Sequence, residues 1–293
     1  MKTNNCEIWV AGEALIDLLP SPEGTNPVVG GGAANTARAL SSLGFKTTFI
    51  GGISSDEFGL KVRQYLREVL LDKALVSDFP TALAIVTLDN QGSAKYEFKL
   101  DGTATFNFSR DWLPQGRPDV LHVGTLATVI EPGASELFEW AKNLNVPIVF
   151  DPNIRPSVLA DQSLYREKVE RWVKISKVIK LSQEDLEWLG YLEIHAFFEL
   201  GAELVVVTKG ANGITGFTKS GSISVPGFTV DVVDTVGAGD TVGAVIVEGL
   251  FRYGFDALVG EKLFEVLTRA ARAASITCSR AGANPPTDEE LGA

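Results

Sequence analysis

The chain has 293 residues, 45% of them hydrophobic, and a formal net charge of −11. These values suffice for one large α/β domain with an appendage, so we expect a single domain over residues 1–293. The negative charge, with lysine and arginine scattered along the chain, disfavours nucleic acid and anionic membrane surfaces as partners.

Two further features bear on the compartment of the protein. Cys6 and Cys278 lie at opposite ends of the chain without metal-ligand spacing, which predicts reduced thiols. The apolar run of residues 8–19 is interrupted by Glu13 and Asp17, so it is not a signal h-region, and no run approaches the ~20 apolar residues that span a bilayer. We therefore expect a cytoplasmic protein.

The chain begins with strand-like segments. Residues 7–12 are typical of a buried strand, and residues 15–19 continue as an extended segment that places one carboxylate, Asp17, among apolar side chains. From this stretch alone, Asp17 is equally an edge-strand residue facing water or a residue with a function.

A glycine-rich turn follows at Gly30, Gly31 and Gly32. The small-residue helix after it is predicted to end with Gly44 in the C′ position. Glycines without side chains allow a ligand to come very close to the backbone, although a flexible turn before a buried helix explains the same residues.

A strand at residues 46–50 leads into a helix that we expect to end near Leu71, with Asp56 as its cap. Residues 81–88 and 94–100 alternate between apolar and polar and are separated by a turn at residues 89–92, which predicts a β-hairpin. Because this hairpin is inserted between βα units, we expect it to cover another part of the protein.

From residue 119 strands and helices alternate regularly, as a doubly wound parallel sheet requires. The predicted strands are 120–123, 148–151, 178–180 and 204–208, and the predicted helices are 133–144, 162–175 and 183–189. Active sites of such sheets lie outside the carboxyl ends of the strands. Polar residues stand at these ends, namely Asp151, Asn153 and Arg155, then 182–185, then 208–213. Each set alone is also ordinary turn chemistry.

Residues 231–250 predict the end of an extended run, a glycine turn and a helix starting near Asp240. Gly237, Ala238 and Gly239 are too small to screen their backbone, so the first amides of this helix can bind an oxyanion or a phosphate. A carboxylate beside a site for developing negative charge is what phosphoryl transfer to a hydroxyl requires, which makes Asp240 the candidate general base. The alternative is an ordinary glycine turn with an acidic residue favoured by the helix dipole.

Two motifs together resemble a known family. The pattern Asp-Thr-x-Gly-Ala-Gly-Asp at residues 234–240 resembles the C-terminal signature of the PfkB (ribokinase-like) family of sugar kinases, and residues 29–44 resemble its first signature. The resemblance covers essentially the whole chain. It implies an α/β fold with a doubly wound, mostly parallel central sheet, helices on both faces, and a small β-sheet lid formed by about residues 14–29 and 81–105.

The resemblance also implies roles for particular residues. Asp240 would be the base and the amides of residues 237–239 the anion hole. The residues matching the sugar site are Asp17, Gly31, Gly32 and Asn35, with Arg155 available to the γ-phosphate or to a substrate carboxylate. The residues matching the nucleotide loop are Thr208, Lys209, Gly210, Ala211, Asn212 and Gly213, together with Gly239.

The implied cofactors are ATP, Mg²⁺ and, in some members, a monovalent cation such as K⁺. Residues 182–185 occupy the place of an Asn-x-x-Glu motif linked to Mg²⁺, but with Ser182 and Asp185 at its ends, so Asp185 would act through a metal-bound water. Asp234 and the carbonyl of Val236 match the monovalent cation site, whereas Pro286 offers it no side-chain ligand. A homodimer formed through the lid is left open.

The sequence therefore predicts an ATP-dependent kinase acting on a primary hydroxyl of a small sugar, most simply a fructokinase. The alternatives are a 2-keto-3-deoxygluconate kinase, a nucleoside or ribose kinase of the same family, and a non-catalytic sugar sensor. Leu100 falls where keto-acid kinases typically carry an arginine, and Lys99 should point out of the pocket, which favours a neutral ketohexose. The sequence has no Gly-Lys dipeptide and hence no Walker A loop. We expect His122 and His195 to be core or surface residues.

Overall fold

Eight strands form one sheet at the centre of the structure, a computed structural model that describes residues 7–88, 94–191 and 193–292. The strands are β1 Ile8–Ala11, β2 Leu15–Ser21, β3 Gly24–Gly30, β4 Thr47–Ile50, β5 Gly52–Ser54, β6 Leu75–Ser77, β7 Leu83–Leu88, β8 Ala94–Lys99, β9 Val120–Gly124, β10 Ile148–Asp151, β11 Val178–Ser182, β12 Leu204–Thr208, β13 Ile214–Thr218 and β14 Gly221–Val225. The helices are α1 Gly32–Ser42, α2 Glu57–Tyr65, α3 Gly133–Leu144, α4 Gln162–Val173, α5 Gln183–Leu189, α6 His195–Leu200, α7 Ala238–Tyr253 and α8 Gly260–Cys278.

The central sheet has the order β14-β13-β12-β11-β10-β9-β1-β4, and the strands from β12 to β4 are parallel. Its last two strands, β13 and β14, pair antiparallel. Helices α1, α7 and α8 pack on one face and α3 to α6 on the other, which explains why the parallel strands read as continuous apolar runs. The chain proceeds from β1 to β4 on one side and later continues from β9 on the other. The strand order therefore reverses at β1, where such sheets place their ligands.

A separate four-stranded sheet has the order β3-β2-β7-β8, and we call it the small sheet. Its register places Asp17 beside Val28 and Ala84, and Ala84 beside Phe98. Residues in direct register share one face of a sheet, so Phe98 lies on the same face as Asp17. The predicted pairing of residues 81–88 with residues 94–100 is confirmed, while the predicted turn at residues 89–92 lies outside the described residues.

Several local predictions are confirmed. Gly44 follows α1 with φ of 81°, as a C′ glycine does. Asp56 caps α2, because its Oδ1 accepts the amide hydrogen of Gly59 at 2.7 Å. The expectation of reduced thiols stays a prediction, since Cys278 has no disulfide partner among the described residues and Cys6 lies outside them.

Two expectations about element boundaries are wrong. Helix α2 ends at Tyr65 rather than near Leu71, because the chain leaves the helix so that the backbone of Leu70 can bond to Thr47 and Phe49 at the free edge of β4. Residues 231–236 form an irregular loop instead of the predicted extended run. The amide of Val233 donates its hydrogen bond to the carbonyl of Cys278, not to a neighbouring strand. Helix α7 begins at Ala238, which agrees with the predicted start near Asp240. Strands β13 and β14 and helix α8 carried no prediction.

Candidate active site

The anion cradle lies at the N-terminus of α7. Gly237 precedes the helix with φ of 78°, and a Cβ atom there would lie 2.5 Å from the Cβ of Ala283, so only glycine fits. The amides of Gly239 and Asp240 have no hydrogen-bond acceptor within the described part of the chain. Two unpaired N–H groups at the positive end of a helix form a binding site for an anion.

Asp240 is buried beside these amides, with 7% of its surface exposed. Its Oδ2 accepts a hydrogen bond from Nδ2 of Asn35 at 2.7 Å. Burial raises the pKa of Asp240 to about 6, while the nearby ammonium of Lys180 and the hydrogen bond from Asn35 limit the rise. A carboxylate with this pKa is ionised at neutral pH yet basic enough to accept a proton, which suits a general base.

The glycine-rich turn brings the start of α1 against Asp240. A Cβ atom on Gly32 would lie 2.5 Å from the Cγ2 of Thr125, 3.1 Å from the Oδ1 of Asp240 and 3.2 Å from the Nδ2 of Asn153. Gly31 has φ of 107°, and a Cβ atom there would lie 2.6 Å from the carbonyl oxygen of Glu13. Both glycines are therefore required by close approaches of other protein atoms, while the predicted close approach of a ligand stays a prediction.

Asn35 is held in place from both ends of its amide. Its Nδ2 donates to Asp240, and its Oδ1 accepts a hydrogen bond from the hydroxyl of Tyr65 at 2.8 Å. The guanidinium of Arg38 lies over the Tyr65 ring, 4.6 Å from its centroid. Tyr65 thus fixes which amide atom faces the base. This role of Tyr65 was not predicted, because a tyrosine in the last turn of a helix carries no distinctive signal.

Glu13 is a second carboxylate of the site that sequence analysis noted only as an interruption of an apolar run. It is buried, and it accepts hydrogen bonds from the amide of Gly32 at 3.1 Å, the amide of Ala127 at 3.2 Å and the hydroxyl of Thr125. Burial raises its pKa to about 7, against the effect of these backbone hydrogen bonds. The carboxylate thereby joins the glycine-rich turn to the segment after β9.

Lys180 and Asp151 form a buried ion pair below the cradle. Their exposed fractions are 4% and 1%, and Nζ lies 2.8 Å from Oδ2. His122 lies on the same face of the sheet, and burial lowers its pKa to about 3, with a smaller contribution from the Lys180 charge. The expectation that His122 is a core residue is confirmed. A lysine at the end of an apolar strand was the available signal for Lys180.

Asp17 and Arg155 lie close enough for their charges to interact. Asp17 projects from the small sheet and is half-buried, and burial raises its pKa while the Arg155 charge opposes the rise. Arg155 follows β10, is exposed, and donates from Nη1 to the carbonyl of Ile154 at 2.9 Å. The structure therefore brings these two predicted residues near one another, with a carboxylate on the small sheet and a guanidinium on the main sheet.

The predicted nucleotide loop, residues 208–213, lies at the end of β12 and is exposed at Gly210, Ala211 and Asn212. Its close fit comes at Gly213, where a Cβ atom would lie 2.0 Å from the carbonyl oxygen of Val225. The loop thus presents its backbone to solvent at the same sheet edge as the anion cradle.

Asp185 has a structural function in addition to any metal role. It forms a capping box with Ser182, in which each side chain accepts the backbone N–H of the other residue, and its Oδ1 also accepts the amide of Ile154 at 2.8 Å. Burial raises its pKa. Similarly, Asp234 accepts the amides of Val236 at 3.0 Å and Gly282 at 2.9 Å. Across the described residues, no group of three or more His, Cys, Asp or Glu side chains has metal-binding geometry.

Comparison with known proteins decides the family. The family model described as "pfkB family carbohydrate kinase" matches residues 7–290. The chain belongs to the pfkB family of carbohydrate kinases. The doubly wound, mostly parallel fold predicted from the two motifs is thereby confirmed, and so is the enzyme class, a phosphotransferase acting on carbohydrates.

Among its pfkB relatives, a fructokinase of Rhizobium leguminosarum bv. trifolii is 37% identical over 260 residues, which cover 83% of this chain and 79% of the relative. A solved fructokinase of Xylella fastidiosa with bound ATP superposes with a TM-score of 0.87 at 25% identity, covering 97% of this chain and 96% of that one. A fructokinase of Vibrio cholerae O395 with bound fructose, ADP and calcium gives 0.85 at 25% identity, with coverage of 98% and 97%.

The structure brings seven of the predicted pfkB site residues together and leaves others apart. The residues that converge around the cradle are Gly31, Gly32, Asn35, Gly237, Ala238, Gly239 and Asp240. Asp185 and Asp234 instead accept hydrogen bonds from nearby backbone amides.

Among the described residues, no helix has both the length and the apolar character needed to cross a membrane.

Proposed function

We propose that the protein transfers the γ-phosphoryl group of ATP to a primary hydroxyl of D-fructose. The observation that carries this proposal is the buried Asp240 carboxylate directly beside the unpaired amides of Gly239 and Asp240. This pairing supplies a base for the hydroxyl proton and donors for the charge that develops on the phosphoryl oxygens.

In the transfer, the sugar hydroxyl oxygen attacks the γ-phosphorus, its proton passes to Asp240, and the bond to the bridging oxygen breaks so that its electron pair leaves with ADP. Asn35 orients the accepting carboxylate through its 2.7 Å hydrogen bond. Asp17, half-buried on the small sheet, accepts hydrogen bonds from sugar hydroxyls, since a carboxylate takes two hydroxyls at once. Gly31 and Gly32 let the sugar approach the backbone closely.

The donors present fit a nucleotide at the sheet edge. The unpaired amides of α7 suit a phosphate, and the exposed backbone of residues 208–213 suits the rest of the nucleotide. Bound Mg²⁺ would neutralise charge on the β- and γ-phosphates. Asp185 keeps lone pairs beyond those given to backbone amides, so it would hold a metal-bound water. Asp234 and the Val236 carbonyl would hold K⁺, which a comparison of turnover in potassium and tetramethylammonium salts tests.

The small sheet serves as a lid over the sugar within a single domain of residues 1–293. Asp17 and Phe98 share the face of this sheet that we assign to the sugar, so the lid offers one carboxylate and an apolar ring. A homodimer through the lid and a cytoplasmic location remain predictions, and light scattering at several protein concentrations tests the first.

Fructose is favoured over 2-keto-3-deoxygluconate for two reasons. The relative from Rhizobium leguminosarum bv. trifolii, at 37% identity, and another from Salmonella typhimurium, at 32% identity, are both named fructokinases. In addition, Leu100 is buried, whereas Lys99 is exposed, so no cation of this strand end faces the pocket. An unpaired substrate carboxylate near Asp17 would be penalised by desolvation and by like charge.

The test is a coupled ADP-release assay with D-fructose, 2-keto-3-deoxygluconate, ribose and a nucleoside side by side. We expect the highest kcat/KM with fructose. A higher kcat/KM with the keto acid would mean that Arg155 pairs with the substrate carboxylate. Sugar binding without ADP release would indicate the non-catalytic sensor, which the presence of Asp240 and its glycines disfavours.

A further inference from the structure

Lys180 is a charged residue on a largely apolar face of the central sheet, where its polar neighbours are Asp151 and His122. Around it on this face lie Val149, Val178 and Val206, all buried. Its ion pair with Asp151 is fully enclosed. A buried ion pair contributes little net stability, because desolvation of both charges offsets their attraction. The position of this lysine therefore calls for an explanation other than stability.

The ammonium group of Lys180 lies at the anion cradle. A Cβ atom on Gly239 would be 3.0 Å from its Nζ, and Gly239 carries one of the two unpaired amides. Of its three N–H groups, one donates to Asp151 at 2.8 Å, and the others have no acceptor in the part of the chain that the structure describes. An anion held by the helix amides would meet a cation with unused donors.

We propose that Lys180 is a catalytic residue whose ammonium group donates hydrogen bonds to the γ-phosphoryl group during its transfer. The inference rests on the proposed function. As the bond from the sugar oxygen to phosphorus forms and the bond to the ADP oxygen breaks, the proton goes to Asp240, and Lys180 keeps all its protons. Its charge offsets the negative charge on the phosphoryl oxygens. Asp151 is the positioning residue that holds the ammonium in place.

A purely structural role makes a different prediction. Lys180 also lies near the carboxylates of Asp185 and Asp240, and it could act only by neutralising them. Removing its charge would then raise the pH at which Asp240 ionises, and turnover would recover fully at higher pH. A catalytic contact with the phosphoryl group instead lowers kcat at every pH.

The discriminating measurement is the affinity for ADP and for a non-hydrolysable ATP analogue, AMP-PNP, by calorimetry with Mg²⁺ and fructose present. In the Lys180→Met variant we expect the AMP-PNP affinity to fall about tenfold or more while the ADP affinity stays near the wild-type value. We also expect the plateau value of kcat to fall by about 10²-fold or more. The control is Lys177→Met, because Lys177 precedes the same strand, is exposed, and pairs with Glu203 instead.

A Lys180→Met protein with the wild-type affinity ratio, and with full turnover at high pH, would overturn the inference. If that variant misfolds because Asp151 loses its partner, the double variant Lys180→Met/Asp151→Leu removes both charges, and replacements of this kind preserve folding in other proteins. In this double variant the affinity for AMP-PNP relative to that for ADP must fall as it does in Lys180→Met. Absence of ADP release by the wild-type protein would instead refute the proposed function, so the two failures are distinguishable.

Discussion

Asp240 sets the pH dependence that we expect of the enzyme. Its pKa is raised to about 6 by burial, and the base must be ionised to accept the hydroxyl proton. Below this pH the carboxylate is protonated, so kcat should fall as the pH falls through about 6 and should be constant above it. The measurement is kcat with saturating ATP and fructose across this range.

Glu13 also affects the fall of kcat at low pH, because its pKa is raised to about 7 by burial and its charge interacts with Asp240. The two carboxylates then titrate as a pair. The Glu13→Gln variant removes the second titration and should leave a single acid limb. A kcat that does not change between pH values well below and well above about 6 would contradict the assignment of Asp240 as the base.

Tyr65 gives a second prediction for a single residue. Its hydroxyl donates to Asn35 at 2.8 Å and thereby keeps the amide nitrogen of Asn35 towards Asp240. Tyr65→Phe removes the hydrogen bond to Asn35, worth about 1 kcal/mol, and the longer one to the carbonyl of Ala283, so kcat should fall roughly fivefold with little change in KM for fructose. Unchanged kcat, with unfolding by denaturant also unchanged, would show that Asn35 is oriented without Tyr65.

At the level of elements, two glycines at the start of α7 are needed for different reasons. The positive φ belongs to Gly237, whereas Gly239 lies within the helix with ordinary backbone angles. Gly239 is small for a different reason, since a side chain there would enter the cradle 3.0 Å from the ammonium of Lys180. The motif marks the positions of both glycines, but their different roles become visible only in the structure.

Gly239→Val should therefore fold and lose turnover. The branched side chain occupies the space of the phosphate, so we expect kcat/KM for ATP to fall more than about tenfold, and Gly239→Ala should give an intermediate loss. Circular dichroism and thermal unfolding provide the folding control. Wild-type turnover by a folded Gly239→Val protein would place the phosphate elsewhere.

The start of α5 shows how an element can explain a departure from a family pattern. Ser182 and Asp185 replace the asparagine and glutamate expected there, and they form a reciprocal capping box. The shorter carboxylate reaches its own helix N-terminus and the amide of Ile154. Local helix capping thus accounts for these residue types without any metal.

For the molecule as a whole, the fold was largely predictable from sequence. For strands such as Ile148–Asp151 and Leu204–Thr208, the predicted bounds are the same as the observed ones. Parallel strands covered on both faces need uninterrupted apolar residues, and such runs are visible in the sequence. Boundaries set by distant contacts were not predictable. Helix α2 ends early because Leu70 bonds to β4, a partner far away in the sequence.

The candidate site was predictable only where a motif marks it. Asp240, Asn35 and Gly32 stand in two recognisable patterns, and they meet in the structure. Lys180 and Glu13 each interrupt an apolar run, but this signal assigns them no role, because their neighbours come from strands and turns far away in the chain. Only the strand register shows that Lys180 lies beside Asp151.

The kinetics of Asp240→Asn test the central claim most directly. The amide keeps the size of the side chain but cannot accept the hydroxyl proton as a base. We predict that fructose and ADP affinities measured by calorimetry stay near wild type, while kcat in the ADP-release assay falls by about 10²–10⁴-fold. A decrease in kcat of less than about tenfold in the folded variant would show that Asp240 is not the base and would contradict the account.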